Sequence, residues 1–301
     1  MTSGWPEGRA AASLSVGVTG DAGSSVSDIG KPDGMIARVA ATLEVALGGV
    51  PLASRVVAVS GGRDSMVLLQ LLARLHRARG GPPPRVIHIH HGLVPAADDW
   101  AAAVRAACAA LDCECRVRRV RVERAGDGPE AAAREARMNA FEALLGDDEH
   151  LLTAHHRDDQ AETVLLRLLR GAGPRGLAGM RPTRRLGRGW LTRPLLMVEQ
   201  AALATAAAEL GLRWQEDPSN QDRALDRNYL RHEILPRLAA RWPAAARSIE
   251  RSARACSDQQ ALLDEALPGV VGGERAEASA EGARRGSGGT PLGGTPPGGT
   301  P

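Results

Sequence analysis

The sequence predicts an α/β protein in which a parallel sheet carries helices on both faces. Three observations predict this fold class: short β-branched runs alternate with helical apolar patterns, each strand precedes a helix, and polar stretches follow three of the strands. Ligands bind such sheets at the carboxyl ends of the strands. The polar stretches "SGGRDS", "HHGL" and "HHRDDQ" are therefore expected to meet at one edge.

The individual elements follow from the hydrophobic periodicity. Strands are predicted at 55–59, 85–90, 115–122 and 150–154. Helices are predicted at 64–79, 98–111, 129–145, 158–170, 198–210 and 227–266. The stretch "RPTRRLGRGWLTRPLL" after Met180 interrupts the alternation and predicts an irregular or hairpin excursion. The expected architecture is thus a Rossmann-like sheet with a helical C-terminal extension.

Composition separates a folded region from two flanking segments. Residues 1–34 are rich in Gly, Ser, Ala and Asp, and residues 269–301 end in "GGTPLGGTPPGGTP", so both are predicted to be disordered. Between them we expect an α/β domain at 35–225 and a helical extension at 226–268. Because 43% of the residues are hydrophobic, the folded region can form a substantial core.

Charge, cysteines and hydropathy exclude several classes of protein. The net charge of +3 is too small to indicate a polyanion partner by itself. The four cysteines form no Cys-x-x-Cys pair, which favours buried free thiols over a structural zinc site. The sequence shows no signal peptide and no apolar run of about 18 residues, so we expect a cytoplasmic protein without a membrane partner.

The first polar stretch joins a strand to a helix and consists of Ser60, Gly61, Gly62, Arg63, Asp64 and Ser65. Its glycines permit close approach of the backbone to a ligand, the helix N-terminus supplies N–H groups, and its serines supply hydroxyls. Together these features favour a phosphate site. Asp64 would repel phosphate and is expected to bind Mg²⁺ instead. The alternative is a structural turn in which Asp64 only caps the helix.

The stretch "TAHHRDDQAETVLLRLLRG" is the second candidate site. Asp158 and Asp159 lie four and three residues before Glu162, so a helix would place these carboxylates on one face. Such carboxylates would hold Mg²⁺ or an ammonium group. His155 and His156 precede them directly. The alternative is that the acidic residues only stabilise the first turn of the helix.

Arginines form two further patterns. Arg134 and Arg137 lie on an Ala/Leu-rich helix, where one of them is expected to bind a carboxylate or a phosphate, with a solvated face as the alternative. Residues 163–198 contain eight arginines and no acidic residue. This basic stretch is expected to contact nucleic-acid phosphates, with a genomic bias towards arginine as the alternative.

The loop at 60–65 resembles the PP-loop of the N-type ATP pyrophosphatases. Members of that superfamily adenylate an oxygen, release pyrophosphate, and let a nitrogen or sulfur nucleophile displace AMP. Later stretches resemble, in the same order, the bacterial tRNA(Ile)-lysidine synthase family: "HIHHGLVPAADDW", "GPEAAAREAR", "TAHHRDDQAETVLLRLLRGAGPRGLAGM" and "EDPSNQDRALDRNYLRHEILPRL". The resemblance covers residues 52–245 and implies an adenine nucleotide alpha hydrolase-like fold.

This resemblance implies a ligase that forms a C–N bond between free L-lysine and C2 of the wobble cytidine, position 34, of tRNA(Ile) with a CAU anticodon. An adenylated cytidine is the implied intermediate, and AMP and pyrophosphate are the implied by-products. ATP and Mg²⁺ are the implied cofactors, and tRNA(Ile) and L-lysine are the implied partners. The extension at 226–268 is expected to be a shortened tRNA-binding region. The oligomeric state is left open, a homodimer included.

The resemblance also implies roles for individual residues. The residues implied in catalysis are Asp64, Arg134, His155, Asp158, Asp159 and Glu162. The residues implied in ATP binding are Ser60, Gly61, Gly62, Arg63, Asp64, Ser65 and His90. Mg²⁺ is assigned to Asp64 and Asp158, and the ammonium group of lysine to Asp159 and Glu162. Arg134 would hold a carboxylate or a phosphate, and either His155 or His156 would assist proton removal.

Three other functions are weighed against this one. A tRNA thiolase of the same superfamily would need a Cys-x-x-Cys pair, which the chain lacks. A small-molecule amidotransferase, such as an NAD or GMP synthetase, would share the PP-loop but not the later stretches. An RNA-binding module with an inactive nucleotide site predicts loss of Ser60, Asp64 or the acidic helix, and all are present. The family resemblance further places Asn228 and Arg231 towards nucleotide or tRNA.

Overall fold

A computed structural model describes residues 34–92, 96–121 and 129–266 of the chain. The predicted disordered tail lies outside these residues, and so does the predicted leader apart from Gly34. None of the described helices is long and apolar enough to cross a membrane. The four cysteines are free thiols, of which Cys108 and Cys113 are buried and Cys115 and Cys256 half-buried.

A six-stranded sheet forms the centre of the fold. Its strands are β1 (Arg55–Ala58), β2 (Arg85–His90), β3 (Cys115–Arg119), β4 (His150–Leu152), β5 (Thr183–Leu186) and β6 (Gly189–Thr192). Their order is β3–β2–β1–β4–β6–β5, and every neighbouring pair is parallel except β5 with β6. The predicted parallel sheet is confirmed.

Helices cover both faces of this sheet. They are α1 (Met35–Ala46), α2 (Arg63–Ala78), α3 (Ala97–Ala109), α4 (Pro129–Leu144), α5 (Arg157–Leu169), α6 (Pro174–Leu177), α7 (Gln200–Glu209), α8 (Asp226–Tyr229), α9 (Leu235–Arg241) and α10 (Ala245–Ala266). Alternate strand residues point to opposite faces. Val57 therefore packs with α1, α2, α3 and α7, whereas Val56 packs with Phe141 of α4.

The segment after Met180 forms a hairpin, as one of the two predicted alternatives had it. The hairpin does not leave the sheet, however, because β6 pairs in parallel with β4 and places Thr192 beside Leu152. This pairing adds two strands that the local pattern did not predict. It also brings Arg193, the residue after β6, to the same edge as the predicted polar stretches.

The C-terminal helical region is confirmed, but it is not the single run predicted at 227–266. Helix α8 continues into a π-helical segment, Leu230–Ile234, and then into α9. The chain leaves the helical conformation at Trp242, and Pro243 follows before α10 begins. Proline lacks the N–H that a continuous helix requires, which accounts for the break. Helix α10 packs against α5 and α6.

Candidate active site

A cavity of about 540 Å³ opens at the carboxyl edge of the parallel strands. Its wall contains residues from all three polar stretches, represented by Ser60 after β1, His90 at the end of β2 and His155 after β4. The prediction that these stretches meet at one edge is therefore confirmed. Residues after β6 and from the 214–221 loop complete the wall.

Hydrogen bonds within the loop between β1 and α2 fix the conformation of this loop. The Ser65 hydroxyl donates to the Gly62 carbonyl at 2.8 Å and accepts from the Ser60 backbone N–H at 3.2 Å. The two serine hydroxyls lie 3.1 Å apart, and Gly61 has a φ of +93°. Both hydroxyls thus fix the shape of the loop, and the unpaired N–H groups of the first turn of α2 remain for an anion.

Asp64 lies inside helix α2 and does not cap it. The N-cap residue is Gly62, and no side chain caps this end of the helix. The Asp64 carboxylate accepts a hydrogen bond from Arg63 Nε at 2.9 Å and lies 3.5 Å from His156 Nε2. Burial alone would raise the pKa of Asp64, but His156 and Arg63 outweigh it and hold this pKa below its usual value. The carboxylate is therefore ionised at neutral pH beside the loop.

His156 connects the polar stretch "HHRDDQ" with the stretch "SGGRDS". It forms a capping box at the start of α5, in which its backbone N–H donates to Asp159 Oδ2 at 3.0 Å and the Asp159 N–H donates to His156 Nδ1. Its Nε2 atom then faces Asp64 Oδ2 at 3.5 Å and Asp159 Oδ2 at 3.4 Å. Two carboxylates from distant parts of the chain thus meet at one nitrogen.

The opposite charges of this cluster stabilise the charged form of each group, so the pKa of His156 is raised and the pKa of Asp159 is lowered. Burial would lower the pKa of His156, but the hydrogen bond to Asp64 and the negative charges of Asp159, Asp64 and Asp158 raise it above the usual value. Burial would likewise raise the pKa of Asp159, yet His156, His155 and Arg227 lower it. The His156 imidazole, with its raised pKa, therefore lies between the carboxylates of Asp64 and Asp159.

Asp158 and Glu162 point away from the cavity. Asp158 Oδ2 accepts a hydrogen bond from the Gln200 N–H at 2.9 Å, at the start of α7. Glu162 is fully buried between two arginines, with Arg227 Nε at 2.8 Å and Arg231 Nε at 2.6 Å. Neither acidic residue belongs to the cavity wall. Asp159 and Glu162 share Arg231, whereas the Asp158 carboxylate is engaged with the Gln200 N–H and lies 3.8 Å from His156 Nδ1.

The wall on the β6 side of the cavity is basic. His155 Nδ1 hydrogen-bonds to Thr153 Oγ1 at 2.9 Å, and Arg134 and Arg193 line the cavity nearby. Burial lowers the pKa of His155 to about 3, and Arg193 is among the positive charges that add to this effect. His155 is therefore neutral at physiological pH. The sequence did not single out Arg193 as a site residue.

The wall on the β2 side carries histidines and aromatic rings. His90 is buried, and its Nε2 lies 3.2 Å from Asp98 Oδ1, while Asp98 also pairs with Arg119. His91 has a pKa below its usual value, chiefly because of burial. Trp100 and Phe141 line the same part of the cavity. This side presents flat and apolar groups, in contrast to the charged groups near α5.

A loop from the C-terminal half lines the cavity next to Gly61. The Gln215 N–H donates to the Gly61 carbonyl at 3.0 Å, and Trp214 lines the cavity beside it. The following 3₁₀ segment, Pro218–Gln221, is held by the buried Asn228, whose amide donates to the Ser219 and Asp222 carbonyls. The expectation that Asn228 faces nucleotide or tRNA stays a prediction, although its amide serves the loop and Asn228 does not line the cavity.

Contact of the basic stretch at 163–198 with nucleic-acid phosphates stays a prediction, and five of its eight arginines are exposed: Arg170, Arg175, Arg181, Arg185 and Arg188. Arg167 donates to the Gly176 and Gly179 carbonyls, both at 2.8 Å, and Arg193 is buried. At least these two arginines are therefore unavailable to a phosphate chain on the surface.

The assignment of Mg²⁺ to Asp64 and Asp158 stays a prediction, with Asp64 and Asp159 as the pair that the structure brings to one atom of His156. Mg²⁺ favours one or two carboxylates, with phosphate oxygens and water as the remaining ligands. Asp64 and Asp159 approach the same atom of His156, whereas Asp158 is engaged with Gln200. Across the described parts of the chain, no group of three or more His, Cys, Asp or Glu side chains is arranged to hold a metal ion. An ion at Asp64 would therefore need substrate oxygens.

The fold and the loop at 60–65 define an α/β protein with a phosphate-binding turn after the first strand of its sheet. Residues 37–238 match the PP-loop domain family, and the chain belongs to that family. It is 54% identical over 209 residues to the tRNA(Ile)-lysidine synthase of Pseudomonas fluorescens (strain Pf0-1), an alignment that covers 69% of this chain and 47% of the relative. A relative of the same name from Alkalilimnicola ehrlichii is 54% identical over 216 residues, covering 71% of this chain and 48% of the relative.

The chain therefore spans about half the length of the curated relatives that it matches. Among solved structures, the U34-tRNA thiolase NcsA from Methanococcus maripaludis, with its [4Fe-4S] cluster, superimposes with a TM-score of 0.60. That match covers 74% of this chain and 80% of the thiolase at 19% identity, so it bears on the fold alone.

Proposed function

We propose that this protein is a cytoplasmic ligase that attaches free L-lysine to C2 of cytidine 34 in tRNA(Ile) with a CAU anticodon, using ATP. Relatives at 54% identity carry the name of that activity. The observation that carries the proposal is the meeting of Asp64 and Asp159 at His156, directly beside the PP-loop. One cavity thus offers a subsite for phosphate next to a subsite for a cation.

ATP is proposed to bind with its phosphates at the PP-loop and its base towards the β2 side of the cavity. The first turn of α2 presents backbone N–H groups and a positive dipole end to the phosphates. Trp100 and Phe141 offer flat apolar contacts for the base, with His90 and His91 at the end of β2. Mg²⁺ held by Asp64 would neutralise charge on the phosphate oxygens.

The reaction takes place in two steps. In the first, O2 of the cytidine attacks the α-phosphorus, the bond between the α- and β-phosphates breaks, and pyrophosphate leaves. In the second, the lysine amine attacks C2, the C2–O2 bond breaks, and AMP leaves with the oxygen while the amine gives up a proton. Adenylation is needed because the C2 oxygen is otherwise a very poor leaving group.

Asp159 and the neighbouring histidines serve the second step. Asp159 lines the cavity and has a pKa below its usual value, so it can hold the ammonium form of the amine. His156 has the raised pKa and the higher affinity for a proton, whereas His155 has a pKa of about 3. Because the buried His156 does not line the cavity, we assign proton removal to Asp159, with His156 as its proton-holding partner at 3.4 Å, and a hydrogen-bonding role to His155.

The helical extension at 226–268 is proposed to help bind tRNA next to this cavity. Arg231 and His232 from the extension belong to the cavity wall. The domain at 35–225 would then supply the chemistry. The described residues that line the cavity include no cysteine, which counts against sulfur transfer at this site.

The test is incorporation of radiolabelled lysine into transcribed tRNA(Ile) with a CAU anticodon, with and without ATP. Elongator tRNA(Met), which also has a CAU anticodon, is the control. We expect ATP-dependent label on the isoleucine tRNA alone. Label on both tRNAs would support the chemistry but not the choice of tRNA. Absence of label in a protein that binds ATP would contradict the proposal, and sulfur transfer would then be tested.

A further inference from the structure

Arg193 is a buried cation in the wall of the cavity. Only 5% of this residue is exposed, and its Nη1 donates to the Arg181 carbonyl at 2.7 Å. Its Nε is buried without a hydrogen-bond partner, and no carboxylate in the described segments forms an ion pair with it. Burial is costly for a charge that is not paired. The guanidinium is therefore suited to receive an anion from outside the protein.

The charges around Arg193 strengthen this reading. Burial lowers the pKa of Arg193 to about 10, and the positive charges of Arg184, Arg134 and Arg167 add to the effect. The group is still protonated at neutral pH. Arginines repel one another unless an anion lies between them, so this cluster favours a bound anion.

The position of Arg193 separates it from the phosphate loop. The strand order is β1–β4–β6, and the register places Val57 beside Leu152 and Leu152 beside Thr192. Arg193 follows Thr192, and the PP-loop follows β1. Two strand spacings amount to about 10 Å, so an anion at Arg193 is distinct from phosphates bound at the loop. Asp159 lies on α5, which follows β4, the strand between β1 and β6, whereas Asp64 lies at the PP-loop itself.

We propose that Arg193 binds the α-carboxylate of the amino-acid substrate and thereby distinguishes an amino acid from a simple amine. This inference rests on the proposed function. Anchoring of Nη1 to the Arg181 carbonyl holds the guanidinium in place, and Arg134 lies in the same wall. The substrate would then lie with its carboxylate at Arg193 and an ammonium group at Asp159.

Arg55 shows what a purely structural buried arginine looks like in this fold. It is also 5% exposed, but its Nε and Nη2 donate to the carbonyls of Leu47 and Val50. It begins β1, at the opposite edge of the sheet from the cavity, and is not part of the cavity wall. Arg55→Gln is therefore a matched control for the loss of a buried arginine.

The experiment compares L-lysine with L-lysinamide, which has a neutral carboxamide in place of the carboxylate. Kinetics are measured for the full chain and for Arg193→Gln, with tRNA and ATP varied in separate series. Loss of charge-assisted hydrogen bonds should raise the KM for lysine about 10- to 150-fold in Arg193→Gln. The KM values for lysinamide, ATP and tRNA should stay unchanged. Arg55→Gln should leave the ratio of lysine to lysinamide use as in the parent.

Each result bears on a different claim. Equal loss with lysine and lysinamide would overturn the inference, because Arg193 would then only support the fold. A raised KM for ATP or tRNA instead of lysine would also overturn it and assign the anion to a phosphate. If the parent protein uses neither lysine nor lysinamide, the proposed function fails together with the inference. If the parent uses lysine and Arg193→Gln keeps the preference for it, only the inference fails.

Discussion

The buried carboxylate of Glu162 links the acidic helix α5 to the C-terminal helices, and its removal is the sharpest test of that link. Arg227 Nε lies 2.8 Å from Glu162 Oε2, and Arg231 donates from Nε at 2.6 Å and from Nη2 at 3.0 Å. Glu162→Gln keeps the shape of the side chain but removes its charge. It also turns an N–H₂ donor towards guanidinium donors, which leaves two cations without their shared partner.

The magnitude follows from the burial of the three groups. Removing one partner of a buried ion pair costs about 3–5 kcal/mol. The Arg227 and Arg231 side chains are 24% and 27% exposed, so water screens them partly. We therefore expect the free energy of unfolding to fall by about 2–4 kcal/mol. At about 2–4 °C for each kcal/mol, a loss of about 3 kcal/mol lowers the Tm by about 6–12 °C.

Thermal and urea unfolding followed by far-ultraviolet circular dichroism measure this change. The matched control is Asp226→Asn, because Asp226 pairs with Arg170 at 3.2 Å on the surface, where both side chains are mostly exposed. That variant should unfold like the parent. A Tm for Glu162→Gln within about 2 °C of the parent would refute the reasoning, since the ion pair would then contribute little.

Three further predictions concern the loop and the cluster beside it. Gly61→Ala strains a backbone at φ +93° and places a Cβ 3.4 Å from Val104, so the affinity for ATP, measured by calorimetry, should fall. The control is Gly80→Ala, at φ +64° in open space, which should leave the affinity for ATP unchanged. Asp64→Asn should lower lysine incorporation about 100-fold or more while the protein stays folded, and full activity would remove Asp64 from the mechanism. Because the pKa of His156 is raised in the folded state, its stabilising effect is complete below about pH 6.5 and is lost as the pH rises through the folded value. The stability difference between the parent and His156→Gln in urea should therefore shrink with rising pH, and a difference that grows would contradict the charge pairing.

Local sequence pattern was enough to predict the sheet edge and most of the site. Each polar stretch follows a strand directly, and parallel strands end at one edge, so Ser60, His90 and His155 had to come close together. The i, i+3 spacing of Asp159 and Glu162 likewise predicted that the two carboxylates share a face of α5, and both pair with Arg231. Helix α1 was missed, although it is amphipathic and buries Ile36, Val39 and Leu43.

Long-range pairing was not visible in the local pattern. The strand β6 has only four residues, and its place beside β4 depends on hydrogen bonds between residues 150–152 and 190–192. Without knowledge of that strand, nothing distinguishes Arg193 from the other arginines of the basic stretch at 163–198. Burial of Glu162 by Arg227 and Arg231 was hidden for the same reason, since these residues lie 65 and 69 positions apart in the chain. The i, i+4 spacing of Asp158 and Glu162 likewise did not indicate that the Gln200 N–H would donate a hydrogen bond to Asp158.

The central claim is that the cavity couples cleavage of ATP between the α- and β-phosphates to formation of a bond between lysine and tRNA. The most direct measurement uses ATP labelled at its α-phosphate together with labelled lysine, and counts both products in the same reaction. We expect one AMP for every lysine attached to tRNA(Ile), with both products absent when either tRNA or lysine is omitted. Formation of ADP, or of AMP at the same rate without tRNA, would contradict it.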